Sequence, residues 1–137
     1  MGQQQLLLII LGVIIVGIAV AVGITLFQDN AVSSNKDAMT NDMMHLAAKA
    51  RHFYSRPTSM GGGGHSFTGL TADAAGMLKL VTAQFSNNAN GSYSIKTAGD
   101  NGSVVLLGIG KTAMTDGSYP TIEVTVTPKG QTISIVN

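Results

Sequence analysis

The sequence contains no cysteine. That excludes a disulfide framework, a thiolate metal site and a haem-attachment CxxCH motif. Any folded part is therefore held by packing alone or by neighbours. Charge is scarce as well: charged residues make up 11% of the chain and the net charge is +1. A dedicated nucleic-acid binder would carry a basic stripe, so no nucleic-acid partner is expected. Hydrophobic residues reach 45%, which argues against a disordered chain. Low net charge leaves little self-repulsion and suits a subunit that packs against copies of itself. Between Gly23 and Pro57 there is neither proline nor glycine, and from Leu6 to Phe27 there is no charged side chain.

What is there begins with "MGQQQLLLIILGVIIVGIAVAVGITLF". As a helix, Leu6–Phe27 spans about 33 Å at ~1.5 Å per residue, enough to cross a bilayer core. Ala19-Val20-Ala21 has the A-x-A form of a signal-peptide cleavage site. A charged n-region is missing, however, and the run exceeds the usual apolar core of a signal peptide. A retained membrane anchor is expected instead. Its orientation stays open. No Lys or Arg precedes the run and Lys36 follows it, which by the positive-inside rule puts the head in the cytoplasm. Removal of a short basic leader ahead of Met1 is the other reading. Gly12, Gly17 and Gly23 interrupt the Val/Ile-rich run. They fit an ordinary anchor, or a helix built to approach several others closely and loosened locally around Gly17–Gly23.

After Phe27 the apolar pattern narrows but stays helical. Val32, Met39, Met43, Leu46, Ala47, Ala50, Phe53 and Tyr54 recur at spacings of seven, four and three, one face of an amphipathic helix. Pro57 ends it at about Ser55. The expectation is one helix of about 50 residues, roughly 75–80 Å long. His45 and His52 share a face two turns apart, too far for one metal ion, and read as surface or interface residues.

The head follows. "PTSMGGGGHSFTG" lacks the flanking strand, helix and Lys of a phosphate loop and reads as a flexible connection. Gly110-Lys111-Thr112 mimics the end of a nucleotide-binding loop, but Val105 stands where that motif needs glycine. "TADAAGML" predicts one helical turn capped by Thr71. From Tyr93 the period becomes two. Tyr93/Ile95, Ile122/Val124/Val126 and Ile133/Ile135 alternate with polar residues, while "SVVLLGI" reads as a central strand buried on both faces. The breaks "GDNG", "TDGSYP" and "TPKGQ" are turn signals. The fold class is α+β, a long N-terminal helix packed on a four-stranded antiparallel meander. Residues 1–56 form the helix (1–27 apolar, 28–56 amphipathic), 57–91 a Gly-rich connecting segment and 92–137 the meander. Asn90-Gly91-Ser92 and Asn101-Gly102-Ser103 match glycosylation acceptors, but turns account for both. Asp73, Asp100, Asp116 and Glu123 are the head's carboxylates and His65 its base. They form no catalytic set, so neither an enzyme nor a cofactor or metal is expected.

This layout, and "GQQQLLLII" and "MGGGGHSF" in particular, resembles type IV pilins and pseudopilins. The motif-level resemblance covers about the first 30 residues; the layout covers the whole chain. It implies a major structural subunit of an extracellular helical filament, assembled as a homopolymer from an inner-membrane precursor. It also implies processing by a prepilin peptidase and delivery by pilus assembly machinery. Met1 looks like the methylated first mature residue, although a cut after Gly2 would leave Gln3 first. The assembly residues it suggests are Met1, Gln3, Gln4, Gln5, Leu6, Leu7, Leu8, Gly12, Gly17 and Gly23. Three departures stand out. Gln5 occupies the place of the family's usual Glu, Val22 that of a frequent proline, and no cysteine closes a C-terminal loop. A glutamine amide cannot neutralise a terminal amine as a carboxylate does. The same residues also suit a second reading, a membrane-anchored minor pseudopilin or a monomeric extracytoplasmic binding protein.

Overall fold

The stretch without proline or helix-breaking turns does form one helix. In a computed structural model that describes residues 2–137, α1 runs Gly2–Ser55. Its 54 residues extend about 80 Å at ~1.5 Å per residue. No loosening occurs around Gly17–Gly23, where the helix is continuous. The Val/Ile neighbours lower propensity only slightly, and each residue still adds one i→i−4 hydrogen bond.

The amphipathic half behaves as its spacing demands. Val32, Met39, Met43, Leu46, Ala47, Ala50 and Phe53 are buried. They face a sheet of β1 (Gly91–Thr97), β2 (Val104–Gly110), β3 (Thr121–Thr127) and β4 (Gly130–Ile135). The strands pair antiparallel in sequence order. Helix α1 crosses β2 and β3. Along β2 the inward residues shrink from Val104 and Leu106 to Gly108 and Gly110. A Cβ on Gly110 would lie 2.8 Å from Met39 Sδ and 2.3 Å from Asn35 Oδ1. These glycines therefore let the helix descend onto the sheet.

β2 is not buried on both faces. Its burial alternates, and Val105, Leu107 and Ile109 on the outer face stay partly or fully exposed. The continuous apolar run suggested a layer on each side, but every other element packs on the inner face only. β4 is barer still. Ile133 and Ile135 pair with the fully buried Val124 and Ile122, yet are 37% and 60% exposed.

Residues 57–91 do more than connect. Short helices α2 (Ala74–Leu78) and α3 (Ala83–Ser86) pack on β1. Phe67, Leu70, Met77 and Leu80 join the core. The cap of α2 is Asp73, whose carboxylate accepts the Gly76 N–H at 2.8 Å. Thr71 instead donates its hydroxyl to Asp73 at 2.6 Å, so the threonine orients the cap rather than forming it.

The Gly-rich stretch is a helix cap, not a free linker. A turn of 3-10 helix (Thr58–Met60) leads into it. Gly63 N–H donates to Phe53 O at 2.8 Å, His65 N–H to Tyr54 O at 2.8 Å and Gly64 N–H to Arg56 O at 2.9 Å. The loop thus supplies donors to carbonyls that a helix C-terminus leaves open. Glycine is needed for close approach: a Cβ on Gly63 would lie 1.8 Å from Ser66 O.

Candidate assembly surface

The first half of α1 touches nothing in the rest of the chain. Every large hydrophobic from Leu6 to Phe27 is at least 53% exposed. A Cβ added to Gly12, Gly17 or Gly23 would meet no atom within 4 Å beyond its own helix. Leaving this many Leu, Ile and Val side chains in water would cost on the order of tens of kcal/mol, at ~1.5–3 kcal/mol each. Nothing in the head covers these side chains, so only a surrounding apolar phase or other chains can remove that cost. The segment must therefore lie in an apolar medium, and α1 is long and apolar enough to cross a membrane. Apolarity runs all round it, as in a membrane span or a fully buried core helix.

The backbone of this rod is satisfied within the helix. Thr25, its one hydroxyl between Leu6 and Phe27, donates to Ala21 O at 3.1 Å. Gln3, Gln4 and Gln5 sit on the first turns with exposed side chains. Gln4 lies with Leu7, Leu8 and Leu11 around one shallow groove. The structure thus brings Gln3–Leu8 together at the tip and spaces Gly12, Gly17 and Gly23 along the rod. Met1 lies outside the described residues.

The head begins where the apolar run ends. Gln28 Nε2 donates to Ala113 O at 3.3 Å, from the loop between β2 and β3. Higher up, Asp42 forms the main polar tie between helix and sheet. Its Oδ2 accepts from Tyr93 Oη at 2.6 Å and from Asn88 Nδ2 and Asn90 Nδ2 at 3.0 Å each. Asn35 Nδ2 adds a bond to Asn90 O at 2.8 Å. Burial pushes the Asp42 carboxyl up, but the bonds from Tyr93, Asn90 and Asn88, with His45 nearby, hold it below the usual value. Burial and the same carboxylate push the Tyr93 phenol far up. Asn90 is therefore a structural ligand of Asp42, while Asn101 is exposed and accepts from Ser66 Oγ at 3.0 Å.

The remaining sequence candidates do not converge. His45 stacks against Phe85 at 5.4 Å and His52 meets Arg56. Asp100 and Asp116 accept backbone N–H groups of their own turns, and Glu123 pairs with Lys96 across the sheet. Among the described residues no three His, Asp or Glu side chains gather as a metal site would require. The Asp42 cluster was missed by sequence reasoning because its members are some 46 to 51 positions apart. Compared with models of protein families, with curated proteins and with solved structures, the chain matches none.

Proposed function

We propose that the chain is a major pilin-like structural subunit of an extracellular helical filament, assembled through its apolar helix as type IV pili are. One observation carries the reading. A single helix is bare and apolar over its first half and built into the head core over its second. A bare apolar rod is stable in lipid or in a bundle of like rods. Both settings are apolar, so exchanging one for the other costs little hydrophobic free energy. Rod and head share one helix, so packing the rods also fixes the heads around them.

In this reading the chain waits in the inner membrane and then joins a homopolymer at the cell surface. Prepilin peptidase and pilus assembly machinery are its partners by resemblance. Gln3, Gln4 and Gln5 enter the apolar bundle and satisfy their amides with one another, with backbone or with the terminal amine. Leu6, Leu7 and Leu8 pack beside them, and Gly12, Gly17 and Gly23 allow close approach.

The test is direct. Surface material is sheared off and viewed by negative-stain microscopy, with and without the gene. Thin filaments that vanish on deletion support the reading, and filaments that persist overturn it. A detergent-solubilised monomer that never polymerises at high expression points instead to an anchored pseudopilin or monomeric binding protein.

A further inference from the structure

We propose that a basic cavity at the end of the head farthest from the apolar rod binds a phosphate group, as free phosphate or as a phosphate monoester. This inference is independent of the filament reading. The cavity measures about 300 Å³ and is lined by Lys49, His52, Phe53, Arg56, Lys79 and Leu80. No carboxylate lines it. Lys49, His52 and Arg56 follow one another at spacings of three and four, which stacks them on one face of the end of α1. Lys79 arrives from the C-terminal end of α2.

Lys79 and Arg56 are held by hydrogen bonds, and none of the three cations forms a salt bridge among the described residues. Among the described residues, Lys96–Glu123 is the one salt bridge, and it lies on the sheet. Asp73, the acid closest to Lys79 in sequence, feels its charge but makes no salt bridge with it, and its Oδ1 accepts from Thr71 and Gly76. Lys79 Nζ donates to Gly69 O at 2.6 Å. That bond anchors the ammonium at the cavity that Lys79 and Phe53 both line. Two ammonium protons stay available to a ligand. Arg56 Nη2 lies 3.2 Å from His52 Nδ1. Guanidinium only donates, so Nδ1 accepts and a neutral His52 carries its proton on Nε2.

Basic side chains near a helix C-terminus often serve its exposed carbonyls. Here backbone N–H groups of the glycine loop already reach Phe53 O, Tyr54 O and Arg56 O. The loop thus frees the side chains and moderates the negative helix end that would oppose an anion. Three permanent cations favour a dianion over a single carboxylate, and the Arg56 fork matches tetrahedral oxyanions. Lipid headgroups of the membrane that holds α1 are out of reach. Lys49 lies 22 residues beyond Phe27, about 33 Å along the helix axis.

The test uses the full chain in a non-ionic detergent at constant ionic strength. Sodium phosphate and glycerol phosphate are titrated separately while backbone amide NMR signals are followed. Saturable shifts centred on Lys49, His52, Arg56 and Lys79 are expected. Lys49→Ala with Lys79→Ala should weaken binding about tenfold or more, since two charge-assisted bonds to the anion are lost. Lys96→Ala should leave it unchanged. If Lys79→Ala loosens α2, Lys49→Gln alone carries the comparison. Saturation by phosphate alone identifies the free ion, and tighter binding of glycerol phosphate identifies a monoester. Shifts that do not saturate, that chloride reproduces, or that survive loss of Lys49 overturn the proposal.

Discussion

Gly63 sits where the chain folds back over the end of α1, and a methyl group there would overlap Ser66 O. Backbone cannot yield as a flexible side chain can. Gly63→Ala should therefore destabilise the head by about 1–3 kcal/mol, seen as a lower thermal midpoint. Gly12→Ala meets nothing in the same chain, so the head should melt as before. Asp42 is the other decisive residue. Its folded pKa lies below the ordinary value, so the stability it contributes is present above the unfolded pKa. That contribution is lost as pH falls through the depressed folded value. Below about pH 4, the thermal midpoint of the native head should therefore fall more steeply than that of Asp42→Asn. Tyr93→Phe removes one of three donors to the carboxylate and should cost about 1.5–3 kcal/mol at neutral pH, measured by chemical denaturation.

At the scale of elements, α1 is one helix with two environments. Its apolar half makes no contact with the head, whereas Met39, Met43, Leu46 and Ala47 are fully buried in the head core. Removing residues 1–27 should leave a water-soluble fragment that unfolds cooperatively, with a midpoint close to that of the full chain in detergent. Circular dichroism checks this; a fragment without a cooperative transition would mean that the rod supports the head. The sheet is one-sided, with α1 over β2 and β3 and the short helices over β1. β4 keeps Ile133 and Ile135 exposed on its inner side.

At the scale of the whole molecule, an apolar rod continues without a break into a head whose contacts begin at Gln28. Assembly through the rod would bring Gln5 close to a neighbour's first turn, without the charge that a glutamate supplies. Gln5→Glu should therefore give filaments at or above the native yield, counted by electron microscopy of sheared material. Loss of filaments in that variant would show that the amide itself is required.

Local periodicity made the helix and strands readable. The 3.6-residue stripe from Val32 to Phe53, the stop at Pro57 and the two-residue alternation of Ile122–Val126 depend only on near neighbours in the chain. Sequence alone also determined that Leu6–Phe27 cannot rest in water, because its composition leaves no polar face. What lay out of reach depends on contacts across long separations. The glycine run looked like a linker because its carbonyl partners belong to another element. β2 looked doubly buried because composition cannot say which faces of a sheet receive a layer. Asp42 and Tyr93 meet across 51 positions, and Lys79 joins Lys49 and Arg56 at one cavity. Tertiary structure decided these, since only the folded path of the backbone brings such groups together.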